Sequence, residues 1–262
     1  MPAPASLDPI IPDWPAPPAV RAAFTTRAGG VSSGPHGGLN LGGNCGDDPA
    51  AVALNRQCLA AALDLPGEPQ WLRQVHGTRV LALPQATVEP EADGVFATEA
   101  GVVCAVQSAD CLAVLFCDDR ATVVAAAHAG WRGLAAGVLE ATVAALPVSP
   151  DRLLAWIGPA IGPEAFEVGA EVPAAFVAVD PAAASCFRPG TQPGKYRGDL
   201  FALARQRLTR AGLTRIHGGG ISTHADPGRF YSFRRDGICG RMAALIWIDA
   251  GAAPPAADRT PE

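Results

Sequence analysis

The sequence predicts an α+β fold, with helices layered on a mixed or antiparallel sheet inside one large domain. Three observations carry that expectation. Apolar runs of strand length and segments of helical periodicity follow one another without a regular βαβ repeat. The chain has 262 residues, 49% hydrophobic and 17% charged, enough to bury a sizeable core. Neither a dinucleotide fingerprint nor a GxxxxGK[ST] phosphate loop is present, which argues against Rossmann and P-loop architectures.

In chain order, residues 1–18 are proline-rich and read as a loosely held N-terminal arm, residues 19–250 as a single catalytic domain, and residues 251–262 as a flexible tail. Residues 20–25 read as a strand, after which Arg27 opens a long glycine-rich loop of the kind that is usually functional or disordered. Asp47 and Asp48 precede Pro49, a start signal for a helix with an apolar stripe of Val52, Cys58, Leu59 and Leu63, ended by Pro66 and Gly67. Residues 70–75 and 78–83 read as strands on either side of a turn at His76 and Gly77, and residues 94–97 and 102–106 as two more. Residues 134–146 have helical spacing, 152–157 strand character, and 171–179 helical character. Asp199 caps a helix running to Arg210 and stopped by Gly212, and residues 215–221 and 243–248 read as the last strands.

The most informative stretch is residues 111–128. Two apolar runs, 111–117 and 122–128, are separated by Asp118, Asp119, Arg120 and Ala121 and read as an antiparallel hairpin. An even-numbered loop sets Cys117 opposite Thr122 and Cys111 opposite His128. Directly opposed residues have Cβ atoms about 4.5–5.5 Å apart, a span that a cation with bonds of about 2.0 Å to nitrogen and 2.3 Å to sulfur bridges. A cysteine in an apolar strand is more often a small hydrophobe, and Cys104 and Cys117 read that way. Cys111 differs, because it follows the polar Ser108 and Asp110 and faces a histidine that leads into Gly130, Trp131, Arg132 and Gly133.

A mononuclear catalytic metal needs three protein ligands and an open position. His76, Cys111 and His128 are the candidates; His36, His217 and His224 rank lower, lacking a strand partner that places them. Two imidazoles and a thiolate suit zinc, although copper accepts the same donors. Arg27, Arg132, Arg234 and Arg235 lie beside glycine-rich or turn sequence and offer forks for phosphate or carboxylate.

Composition excludes other classes. The net charge is −5 and Lys and Arg do not cluster, so nucleic acid is not an expected partner. No apolar run reaches membrane-spanning length. The N-terminus lacks the basic start and apolar stretch of a secretory signal, and the expected location is cytoplasmic. Seven cysteines without a CxxC pair read as free thiols.

Eight dispersed motifs occur in order: TTRAGGVS from Thr25, LNLG from Leu39, QVHG from Gln74, ADG from Ala92, SADC from Ser108, HAGWRG from His128, IGPAIG from Ile157 and SFRRDG from Ser232. Together they resemble the YfiH-like family, whose members are variously named polyphenol oxidase or laccase-domain proteins, peptidoglycan editing factors and purine nucleoside phosphorylases. The resemblance implies a layered α/β/β/α domain with mixed sheets and a zinc held by His76, Cys111 and His128. It further implies phosphorolysis of adenosine, inosine, guanosine and methylthioadenosine, with adenosine deamination at the same site. Arg27 would hold phosphate, with Asn40 and Gln74 as lesser substrate-binding residues, and the working form would be a monomer or homodimer. One departure is Ser222, where a cysteine before Thr223 is expected. The competing readings are an amide hydrolase of UDP-muramoyl precursors with Cys111 or zinc-derived hydroxide as nucleophile, a copper polyphenol oxidase, and a non-enzymatic binding protein. Multicopper chemistry ranks lowest because it needs many more histidines than the five present.

Overall fold

In the computed structural model, which describes residues 6–251, the strands fall into three sheets. The elements are β1 (Val20–Phe24), α1 (Pro49–Ala62), β2 (Val80–Ala82), β3 (Gly94–Ala97), β4 (Cys104–Ser108), β5 (Leu112–Asp118), β6 (Val124–Ala129), α2 (Trp131–Ala136), α3 (Val138–Ala145) and β7 (Leu153–Ile157). They continue with β8 (Glu167–Gly169), α4 (Glu171–Val177), β9 (Phe187–Pro189), β10 (Lys195–Gly198), α5 (Leu200–Arg210), β11 (Arg215–Gly218), α6 (Phe233–Asp236) and β12 (Met242–Ile248). The central sheet runs β11-β7-β5-β6-β3-β2. It is mixed: β5 is antiparallel to β6 and β7, whereas β11 pairs with β7, and β2 with β3, in parallel. An antiparallel sheet β1-β12-β4 and a small antiparallel sheet β8-β10-β9 complete the set.

Side-chain alternation along β5 and β6 sorts the core into layers. Leu112, Val114, Phe116 and Ala127 pack under Leu134 and Leu139 of the following helices and Leu203 and Leu208 of α5. Ala113, Leu115, Val124 and Ala126 point the other way, onto Phe24, Val106, Ala244 and Ile246 of the smaller sheet. That sheet turns Ala105, Leu245 and Trp247 towards Leu39, Leu41 and Leu59, the last from α1. The order is therefore helices, six-stranded sheet, three-stranded sheet, helix, which is the layered α/β/β/α arrangement expected. Burial on both faces explains why β5, β6 and β12 are unbroken apolar runs rather than alternating ones.

Several expectations need correction. β5 and β6 form the predicted hairpin, but Ala113, not Cys111, lies opposite His128, and Cys117 pairs with Val124. The cause is Asp118, which is not a loop residue: it is fully buried, accepts Thr122 N at 2.6 Å and Val123 N at 3.2 Å, and pairs with Arg152. A charged residue thus ends the strand from inside and moves the turn one residue along. The slip preserves side-chain parity, so Cys111 and His128 stay on the same side of the sheet as diagonal neighbours.

Residues 70–75 make only single bridges, Gln70 to Cys104 and Arg73 to Glu91, instead of a strand. The helix expected over 134–146 begins at Trp131 and breaks at Gly137, whose φ of 100° stops α2 before α3 starts. The small sheet β8-β10-β9 carries no sequence signal, being short and partly exposed. The proline-rich arm contributes Ile10, which exchanges two backbone hydrogen bonds with Phe24, each 2.8 Å. Of the expected tail, residues 252–262 lie outside the described residues. Among the described residues, no helix is long and apolar enough to cross a membrane.

Candidate metal centre and its cavity

His128 sits one residue before the end of β6, and Cys111 immediately precedes β5. Continuing the ladder sets Cys111 opposite Gly130, and a Cβ built at Gly130 would come 2.8 Å from Cys111 Sγ and 2.6 Å from His76 Cδ2. Only a glycine leaves room there for the thiol and the imidazole. His76 arrives from the turn after Gln74, with a left-handed backbone (φ 62°) that non-glycine residues seldom adopt. Cys111 Sγ and His76 Nε2 are 3.7 Å apart, the His76 and His128 rings meet edge to face at 4.8 Å, and one ligand atom from each of the three residues falls within 4.8 Å of the others.

Asp93, just ahead of β3, builds this arrangement. It is fully buried. Its Oδ1 accepts His128 Nδ1 at 2.8 Å and His76 N at 3.0 Å, and its Oδ2 accepts Gly77 N at 2.7 Å and Val75 N at 3.2 Å. Its own carbonyl takes His128 N at 2.7 Å. One carboxylate therefore holds both the turn that presents His76 and the ring orientation of His128, leaving His128 Nε2 free to face Cys111. On the opposite side, Asp110 (φ 85°) is anchored by Thr223 Oγ1 at 2.6 Å, Ser232 Oγ at 2.9 Å and Arg234 N at 2.7 Å, and Ser108 Oγ donates to Cys111 O. These bonds fix the backbone on which the thiol hangs.

The electrostatics favour a ligating thiolate. Burial by itself would raise the Cys111 thiol, but the His128 and His76 imidazoles outweigh it and bring it down to about 6. Burial by itself would lower His128, but the Cys111 thiolate and the Asp93 carboxylate hold it up at about 9. Asp93 is kept below the usual carboxylate range by the His128 bond and the turn amides, despite its burial. By contrast, burial pushes the Cys104 and Cys117 thiols far up, in keeping with their reading as filling. The donor set fits a cation: tetrahedral zinc with the usual bond lengths separates N and S donors by about 3.3–3.6 Å, close to the 3.7 Å seen between His76 and Cys111. A metal can be held by His76, Cys111 and His128, with Asp93 behind the histidines.

The trio opens onto a cavity of about 520 Å³. Gln74 and Gln107 lie on its wall; the Gln74 amide exchanges two bonds with the Gln107 backbone (2.7 and 2.8 Å), pinning the His76 turn to β4. Asn40 is not on the wall. It is fully buried, and its Oδ1 accepts Gly42 N and Arg241 N, so it orders two segments that are. Arg27 is likewise away from the wall: it donates to Pro227 O and Gly37 O at 3.1 Å and lies 4.7 Å from the Tyr231 ring, clamping the glycine-rich loop to the C-terminal segment. Arg235 is consumed by Asp236 and the carbonyls of Thr223, His224 and Phe230. The wall's arginines are Arg132, Arg234 and Arg241, the last not singled out from sequence. The rival histidines lie elsewhere: His36 bonds Cys45 O, His217 is on β11, and His224 follows the Ser222 turn. Asp93 was visible only as the middle of the ADG motif, with nothing local to mark its partner.

A family model described as multi-copper polyphenol oxidoreductase laccase matches residues 21–249. The chain is 53% identical over 239 residues to purine nucleoside phosphorylase PA4543 of Pseudomonas aeruginosa, covering 91% of this chain and 98% of that protein. It is 52% identical over 244 residues to purine nucleoside phosphorylase YfiH of Escherichia coli, with the same coverage. The crystal structure of Neisseria meningitidis protein NMB0706 superposes with a TM-score of 0.88 at 47% identity, over 92% of this chain and 99% of that one. YlmD from Geobacillus stearothermophilus superposes with a TM-score of 0.81 at 32% identity, over 88% and 93%.

Proposed function

The chain belongs to the YfiH family, whose model is the one described as multi-copper polyphenol oxidoreductase laccase, and from that premise we propose that it is a zinc-dependent purine nucleoside phosphorylase that also deaminates adenosine. The observation that carries this reading is the His76, Cys111 and His128 cluster set in one cavity with three arginines and aromatic side chains. The relatives named purine nucleoside phosphorylase support the phosphorolytic part of it. Among the described residues, this is the one group of three or more His, Cys, Asp or Glu donors arranged to hold a metal, which favours a mononuclear centre over multicopper oxidation.

In phosphorolysis, a phosphate oxygen bonds to the ribose anomeric carbon as the glycosidic C–N bond breaks and the purine leaves with a proton. The protein's part is to hold phosphate, ribose and base in line, and positioning of that kind accounts for much of an enzymatic rate. Phe233, Trp131 and Phe166 line the cavity that would take a purine, and the arginines offer charge to phosphate. A zinc ion supplies, when bound, Lewis acidity and a water acidified towards neutrality, which suits loss of ammonia from adenosine.

The test is elemental analysis of purified protein coupled to a phosphate-dependent adenosine assay. The expected result is about one zinc per chain and adenine release that requires phosphate. His76→Ala, Cys111→Ala and His128→Ala should each lose metal and activity while keeping a cooperative unfolding transition. Inert adenosine in the metal-loaded protein, or full activity in the Cys111 and His128 variants, would refute the proposal.

A further inference from the structure

We propose that Arg132, Arg234 and Arg241 form the subsite that binds orthophosphate, rather than Arg27, the residue that the family resemblance implied. The three share the wall of the cavity that contains the His-Cys-His cluster. None has a carboxylate within 4.0 Å among the described residues, whereas Arg56, Arg152, Arg207 and Arg235 elsewhere all do. The wall's one carboxylate, Asp110, is already taken by Thr223, Ser232 and the Arg234 amide. The wall thus carries three guanidinium groups to one carboxylate, and none of the three is paired with it, which suits a compact anion.

The three arginines are also prepared differently. Arg234 NH1 is tied to Ala165 O at 3.1 Å and Glu167 O at 2.8 Å, and its guanidinium lies 5.7 Å from the Phe166 ring centroid. Arg241 NH1 is tied to Cys239 O at 2.8 Å and Gly240 O at 3.0 Å. Among the described residues, each keeps its second amino group unengaged by protein acceptors, a fork fixed at one tine and open at the other. Arg132 is exposed, stacks on Trp131 at 4.4 Å and makes no side-chain hydrogen bond among the described residues, so it is the arm able to swing onto a bound anion. Arg27 lies off this wall, and each of its terminal nitrogens already donates to a carbonyl.

The inference deepens the phosphorolytic reading and rests on it for the identity of the anion, yet binding can be followed without turnover. Calorimetric titration of the metal-loaded protein with inorganic phosphate should show saturable binding that weakens with added salt. Arg132→Ala and Arg241→Ala should each weaken it about tenfold or more, with a matching rise in the phosphate KM. Arg132→Lys should recover part of the loss, and the exposed hairpin-turn variant Arg120→Ala should bind like the parent protein. A parallel titration with adenosine 5′-monophosphate separates free phosphate from a nucleotide's phosphate: binding of the nucleotide but not of orthophosphate would overturn the assignment. So would unchanged phosphate affinity in both alanine variants. Phosphate binding without phosphorolysis would sink the proposed function but not this subsite, and phosphorolysis with unaltered phosphate KM in the variants would do the reverse.

Discussion

Replacing Asp93 by Asn is the sharpest single perturbation of the centre. The side chain keeps its shape, but one of its two acceptor oxygens becomes a donor. With the amide nitrogen in the Oδ2 position, the Gly77 and Val75 amides, now 2.7 and 3.2 Å from an acceptor, face another donor. Flipped over, the nitrogen faces His76 N and forces His128 Nδ1 to accept, which moves the His128 proton onto Nε2, the atom needed for a metal. The first arrangement loses two polar contacts and the second loses one, at about 1–3 kcal/mol each, and the loss of a carboxylate behind a ligating histidine typically weakens metal binding about 10–100-fold. Competition against a chromophoric chelator measures the metal affinity, and denaturant unfolding in excess chelator measures the metal-independent part. The expected result is a drop of at least about tenfold in affinity together with a lower unfolding midpoint without metal. Affinity within about twofold of the parent protein would show that Asp93 does not organise the ligands.

Two further perturbations test the same geometry. Gly130→Ala is compatible with its backbone (φ −58°) but drives a Cβ into Cys111 Sγ and His76, so metal content and activity should fall about tenfold or more while the unfolding midpoint changes little; normal metal binding would contradict the packing described. In chelator-treated protein, Cys111 should be alkylated with a midpoint near pH 6, because its depressed pKa keeps the thiolate present above that value and loses it as the pH falls through it. Added zinc should protect it and His128→Ala should move the midpoint upward, both readable by mass spectrometry of the labelled peptide; a midpoint near that of an ordinary thiol would refute the ion pair.

Much of the fold was legible because apolar periodicity reports local geometry directly. The runs that became β5, β6, β7 and β12 and the Asp48 and Asp199 caps, whose carboxylates accept Ala50 N and Ala202 N, are encoded within a few residues of where they act. What escaped was polar and buried. Asp118 looked like a turn residue because it is charged, yet its burial beside Arg152 set the hairpin register. Arg27 and Asn40 lie off the wall and make loop contacts, and Arg241, on the wall, had no motif to point to it.

The sequence by itself determined the layered α+β character, the chemical types of the three metal-ligand candidates and, through side-chain parity, that Cys111 and His128 share a face. Tertiary structure alone decided that His76 joins them, that Asp93 stands behind both histidines, and which arginines reach the cavity. The physical reason is range. Alternation and capping act over one to four residues, whereas Asp93 reaches His128, and His76 reaches Cys111, across 35 residues of chain each. Pairing of β3 with β6 closes the first distance, and the turn held on Asp93 closes the second.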